Sequence, residues 1–191
     1  LLEEQRARSR DSGRQTQPPG ILRHMVEGSE LRDIKFTGYE SLEEKDSLVQ
    51  AVSEGFLVLN KTPFYAESGG QVGDTGKLIS DKKEYKVVDT QKDGGIIAHK
   101  IEGNLQNLLQ HYVLALVDTD RRISIMRNHT ATHIIHEALR RVLGDHLRQS
   151  GSLVAPDHLR FDFNHFEKVT PEQLQAIEDM VNGKIEESIS V

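Results

Sequence analysis

The sequence predicts an α+β protein: a small β-barrel or sandwich of short strands, followed by a region that mixes helices with a strand. Three observations carry this. From Ile34 to about Val117 short apolar runs alternate with turn chemistry. After Asp118 the apolar spacing becomes helical. Beyond that helix, a strict apolar–polar alternation runs into a helix-opening signature.

The strands are read at Gly55–Leu59, Lys77–Ile79, Tyr85–Val88, Ile96–His99 and Tyr112–Val117. Ser80-Asp81, Asp93-Gly94-Gly95 and Glu102-Gly103-Asn104 supply turns between them, because these residues tolerate tight backbone conformations or bond their own main chain. From His129 to Leu143, Ala131, Ile134, Ile135, Ala138, Leu139, Val142 and Leu143 recur with a helical period, and Gly144 is the stop signal. Leu159-Arg160-Phe161-Asp162-Phe163 reads as a half-buried strand. Thr170-Pro171-Glu172-Gln173 then opens a helix, with Thr170 as cap, Pro171 in the first turn and Gln173 closing a capping box. Leu174, Ile177, Val181 and Ile185 are its expected buried stripe. At the other end, residues 1 to about 15 read as a charged helical tail. Gln15-Thr16-Gln17-Pro18-Pro19-Gly20 breaks it, as a linker or a disordered terminus.

Composition narrows the function classes. With 36% hydrophobic and 28% charged residues the chain is an ordinary globular sequence, and no apolar run approaches the roughly 18 residues of a membrane-spanning helix. Its opening is too charged for a signal peptide, no membrane partner is expected, and the lack of cysteine is compatible with the cytoplasmic address expected. The absence of cysteine excludes a disulfide framework and thiolate metal ligands. A net charge of −6 argues against holding nucleic acid through overall electrostatics, so any RNA contact needs a local patch or another part of a longer chain.

Nine histidines direct attention to the helix from His129. At about 100° per residue, His129, His133, His136 and Arg140 fall within a sector of roughly 60°. Imidazoles at i and i+4 lie one turn apart and can share a metal ion. A plain solvated face has the same spacing, and two ligands make half a zinc site, with His136 a poor third. His129-Thr130-Ala131-Thr132-His133 lacks the glutamate of the zinc-protease pattern. The segment from Asn60 to Gly76 carries four glycines between Gly69 and Gly76 and two carboxylates, Glu67 and Asp74. Neither a P-loop nor a dinucleotide fingerprint, it reads as a wide hairpin or as a close-approach segment.

Thr62-Pro63-Phe64-Tyr65-Ala66-Glu67-Ser68-Gly69-Gly70-Gln71-Val72-Gly73-Asp74 resembles the glycine-rich signature of alanyl-tRNA synthetases. Arg127-Asn128-His129-Thr130-Ala131-Thr132-His133 resembles the zinc-binding helix of their editing domain. Gln149-Ser150-Gly151-Ser152-Leu153 and Leu159–Phe163 resemble the segments that follow, and Glu3-Glu4-Gln5-Arg6 the end of the preceding tRNA-recognition region. The matches run in family order over nearly the whole chain.

The resemblance implies a helical tail and linker over 1–20, a glycine-rich β-barrel over 21–118 and, over 119–191, an editing core like that of threonyl-tRNA synthetase. It implies an alanine–tRNA ligase whose partner is tRNA(Ala) and whose editing region hydrolyses a mischarged seryl or glycyl group. His129 and His133 would be zinc ligands, completed by a downstream Cys-x-x-x-His pair. Thr130 and Gln149 would line the aminoacyl pocket. Apart from the resemblance, the alternation of its strand puts Asp162 on the face of Arg160 and Asn164, in a structural role or one supporting the site from behind. ATP and magnesium would serve a separate aminoacylation domain. With no cysteine present, the expectation is a region cut before its zinc site is complete. The alternatives are a free-standing editing deacylase and a non-catalytic tRNA-binding module.

Overall fold

The structure, a computed structural model, describes residues 34–93, 95–105 and 107–187. The expected helical tail and proline linker lie outside the described residues. Two compact units emerge: one runs through Ser68 and resumes over Gly73–Thr119, and the other takes Gly69–Val72 and the chain from Asp120 onward.

The first unit is a closed six-stranded barrel. It is built from β2 (Glu43–Ser53), β3 (Phe56–Leu59), β5 (Gly76–Ser80), β6 (Lys83–Asp93), β7 (Ile96–Ile101) and β8 (Tyr112–Val117). The order β2-β3-β7-β6-β5-β8 closes through antiparallel pairing of β2 with β8. Outside it, β1 (Lys35–Phe36) pairs in parallel with β4 (Lys61–Thr62). Of the two architectures left open by the sequence, the barrel is the one formed. The strand that closes it, β2, is absent from the sequence reading. Its first half, Glu43-Glu44-Lys45-Asp46, is charged and hides the alternation that follows, in which Ser47, Val49 and Ala51 are buried. Register shifts at Glu44/Ser47 and Val49/Ala51 bend this long strand so that its ends serve different neighbours.

Val49, Leu57, Leu59, Phe64, Leu78, Val87 and Ala115 fill the barrel core. His99 is fully buried among them. Its Nδ1 lies 3.2 Å from the Leu57 carbonyl, which can only accept, so Nδ1 carries the proton. Nε2 then accepts from the Thr62 hydroxyl at 2.8 Å, and Thr62 Oγ1 accepts from the Phe64 N–H at 3.1 Å. The network satisfies each of these buried groups and fixes the start of the glycine-rich segment.

In the second unit α1 (Thr119–Leu143) is followed by the antiparallel pair β9 (Arg148–Val154) and β10 (Leu159–Asn164), then by α2 (Pro171–Glu186). The first helix begins at Thr119 rather than His129, because Arg122 and Ile125 extend its buried face towards the N-terminus. Gly144, at φ +110°, ends it. The capping box of α2 forms: Thr170 Oγ1 accepts from Gln173 N at 3.2 Å, and Gln173 Oε1 accepts from Thr170 N at 2.9 Å. Its buried stripe is narrower than expected. Leu174 and Ile185 are 55% and 54% exposed, while Ile177, Met180 and Val181 pack against Ala138, Leu139, Leu143 and Leu147. Three residues at i, i+3 and i+4 are enough for so short a contact.

Burial pushes the His99 imidazole down to about 4, against its bond to Leu57, which favours the charged form. The unfolded chain, with an ordinary histidine near 6.5, therefore binds more protons between those values. Barrel stability should be complete above about pH 6.5 and fall as pH drops towards 4, by roughly 2 kcal/mol between about pH 7 and pH 5. Urea unfolding, with His99 ring shifts followed by NMR, checks this; a His99 titration near 6.5 would contradict it.

Candidate active site on the histidine helix

His129 and His133 extend from one side of α1 with ring centres 5.1 Å apart and planes tilted by 44°. Both side chains are exposed. His136, one turn on and half-buried, packs its ring on Phe161 of β10 at 5.1 Å. Arg140, the fourth member of the expected face, turns to Asp145 at 2.7 Å. The helical spacing therefore brings three imidazoles to one side.

His129 is oriented from the glycine-rich segment. Gln71, itself buried, places Oε1 2.7 Å from His129 Nδ1. A carboxamide oxygen only accepts, so Nδ1 bears the proton and Nε2 keeps its lone pair for another partner. Gln71 reaches this position because Gly69–Val72 lies along β9. Val154 N donates to Gly70 O at 2.8 Å, Val72 N donates to Val154 O at 3.1 Å, and Gln71 bridges Val154 in parallel. Gly70 is required twice over. Its φ is +85°, and a Cβ there would lie 2.6 Å from the Ser152 carbonyl oxygen.

Opposite the helix, Phe161 pairs with Ser152 and Phe163 with Gln149, with a register shift between. Cross-strand partners share a face, so the bulge brings Gln149 and Ser152 to the same side despite their odd separation. The result is a cavity of about 110 Å³ lined by His129, Thr132, His133 and His136 from α1, Gln149, Ser152 and Val154 from β9, Phe161, and Gly69.

Of the residues expected from sequence, His129, His133 and Gln149 line this cavity and Thr130 does not. Thr130 is half-buried on the neighbouring helix face, and Thr132 takes the inward position. The Thr132 hydroxyl donates to Asn128 O at 2.8 Å, leaving its oxygen as an acceptor. Asn128 in turn donates to Ala155 O at 2.7 Å. Asp162 accepts from Arg160 Nε at 3.1 Å, the neighbour pairing expected of a structural residue. In the barrel unit, Asp74 is buried and takes the Tyr65 N–H at 2.7 Å, a staple across the glycine-rich segment. Burial, and then Asp89, raises the Glu67 carboxyl.

The donor chemistry of His129 and His133 suits zinc, and the Gln71 bond leaves the lone pair of His129 Nε2 free for a ligand. Their number does not complete a tetrahedral shell: among the described residues no three of His, Asp or Glu gather as a metal site. The two fit zinc as half of its ligands.

Residues 3–121 match the family of tRNA synthetases class II (A). The chain belongs to the alanyl-tRNA synthetase family. It is 48% identical over 163 residues to an alanine–tRNA ligase of Fusobacterium nucleatum, covering 82% of this chain and 19% of that protein. It is 44% identical over 199 residues to that of Halorhodospira halophila, covering 96% and 22%. The chain spans about a fifth of the length of these relatives. Among the described residues no helix is long and apolar enough to cross a membrane.

If Gln71 fixes the His129 tautomer, nitrogen NMR should find its proton on Nδ1, and Gln71→Leu should give a mixture of tautomers. An unchanged pattern in that variant would remove Gln71 from the site.

Proposed function

We propose that this chain is the editing region of an alanine–tRNA ligase, and that the cavity between α1 and β9–β10 hydrolyses mischarged Ser-tRNA(Ala) and Gly-tRNA(Ala). The observation that carries the reading is the convergence of the His129 and His133 rings, 5.1 Å apart, on a small cavity that also holds Thr132 and Gln149. A volume of about 110 Å³ has the scale of a few water molecules, or of a small amino acid rather than a base.

Water adds to the ester carbonyl carbon, the bond from that carbon to the ribose oxygen breaks, and the ribose oxygen ends protonated. The products are a free amino acid and uncharged tRNA. Thr132 Oγ1 has committed its proton to Asn128, so it can only accept, as from a serine hydroxyl. A site built around such a bond rejects alanine, which lacks the hydroxyl, far better than a synthetic pocket for alanine excludes serine. Glycine lacks the hydroxyl too, but leaves room for a water to bond Thr132 Oγ1 where the methyl group of alanine would shut it out. Gln149 adds an amide that both donates and accepts.

His129 and His133 would hold zinc with ligands from outside these 191 residues, in an α+β core of the fold of the threonyl-tRNA synthetase editing module. When bound, zinc would position the aminoacyl group or polarise water. Alanine activation, with ATP and magnesium, belongs to another part of such an enzyme, acting with tRNA(Ala) in cytoplasmic protein synthesis.

In a full-length enzyme, His129→Ala and His133→Ala should lose zinc and Ser-tRNA(Ala) hydrolysis while alanine charging is kept. His136→Ala should be milder. Thr132→Val should lower hydrolysis of the seryl ester by about tenfold or more, and Thr130→Val by less. Zinc content, charging and deacylation measured side by side decide it. Normal editing by His133→Ala, or equal behaviour of all three histidine variants, would contradict the reading.

A further inference from the structure

Beyond the cavity, the same end of the β9–β10 pair carries a second built feature. His146 precedes Gln149 by three residues, and His165 follows Phe163, the cross-strand partner of Gln149, by two. His146 Nε2 and His165 Nδ1 are 3.0 Å apart, and the ring centres 5.2 Å apart with planes 21° from parallel. That centre distance is what an in-line N–H···N bond leaves between two imidazoles, so the rings lie edge to edge and form one flat ledge. Phe166 packs on His146 at 5.2 Å and 24°, an offset stack, yet is 85% exposed. The ledge rests on the chain at Gly144, where a Cβ would approach His146 Nδ1 to 3.0 Å.

Charge around the ledge differs from that of the whole chain. The Arg148 guanidinium bonds only to the carbonyls of Asp145 and Leu147, and Lys168 has no ionic partner among the described residues. The Asp145 carboxylate is taken by Arg140, so within two residues of His146 and Phe166 along the chain, the cations Arg148 and Lys168 stand against one further carboxylate, Glu167. A chain of net charge −6 thus has a small excess of positive charge in the two segments that bear the exposed ring.

We propose that Phe166, backed by His146 and His165, is a stacking platform for an unpaired base near the 3′ end of the RNA whose aminoacyl group enters the cavity. Arg148 and Lys168 meet the adjoining phosphates. The proposal rests on the editing reading for the identity of the RNA. An exposed flat ring beside cations is the chemistry that takes single-stranded nucleic acid without reading its sequence. β10 ends at Asn164 and the chain bends at Phe166, so the platform stands two to three residues past Phe163, the partner of Gln149, at most roughly 10 Å along the chain and within reach of a short single-stranded tail. The hydrogen bond between the imidazoles fixes the ledge beforehand, so little ordering is left to binding.

The test titrates the full chain with an RNA hairpin ending in a short unpaired 3′ tail that carries 2-aminopurine at successive positions. The wild-type chain should quench one tail position. Phe166→Ala should abolish that quenching and weaken binding about tenfold, with Phe166→Tyr close to wild type. Lys168→Ala should lower the salt dependence by about one counterion. Phe166 is so exposed that the alanine variant should keep its melting temperature. Absence of RNA binding by the wild-type chain, or unchanged affinity and quenching in Phe166→Ala, would overturn the platform. Phe166-dependent binding alongside a full-length enzyme that does not hydrolyse Ser-tRNA(Ala) would sink the hydrolytic reading alone; normal deacylation with Phe166-independent binding would sink the platform alone.

Discussion

A Cβ at Gly70 would lie 2.6 Å from the Ser152 carbonyl oxygen, and the candidate site depends on the close approach that its absence allows. With the backbone of Gly70 and Val72 bonded to Val154, Gln71 is carried to the His129 ring. That single contact selects which imidazole nitrogen is free. Larger side chains at Gly70 would push the segment off β9 and would also be strained at φ +85°. The orientation of an exposed histidine is thus set by a buried glutamine, and the glutamine by a glycine.

Each unit solves a different problem with its polar groups. The barrel buries His99 at the cost of its charge and satisfies it through Leu57 and Thr62, which fixes the chain entering the glycine-rich segment. Asp74 staples the same segment to Tyr65. In the second unit the polar side chains are half-buried or exposed around a small cavity, where a ligand can replace water. Thr132 and Gln71 are buried exceptions, and the Thr132 and Asn128 side chains are tied to carbonyls so that α1 and the end of β9 present fixed groups.

Much of the fold was legible from residues alone. Tyr112–Val117 matches β8 end to end, and the Thr170–Gln173 capping box forms as written, because both signals are local. The barrel-closing β2 was not, since its charged first half faces outward and its pairing with β8 is set by tertiary contacts. In the site, the i, i+4 spacing pointed to His129 and His133. Periodicity could not distinguish Thr130 from Thr132, because the choice depends on which side of α1 receives β9. Nor could it show that a bulge puts Gln149 beside Ser152, although Gly151 is the kind of residue that marks one. Gln71 lay inside a recognised signature without a role, because its partner is far away in sequence.

The central claim is that the imidazole face of α1 and the bulged β9 form one pocket for a misplaced amino acid. The most direct measurement is a crystal structure of a full-length enzyme containing this region, bound to a seryl group joined to adenosine by a stable amide. The account predicts the seryl hydroxyl within hydrogen-bond distance of Thr132 Oγ1, with the rest of the group between His129, His133 and Gln149. An analogue bound elsewhere, with this cavity still holding only water, would contradict it.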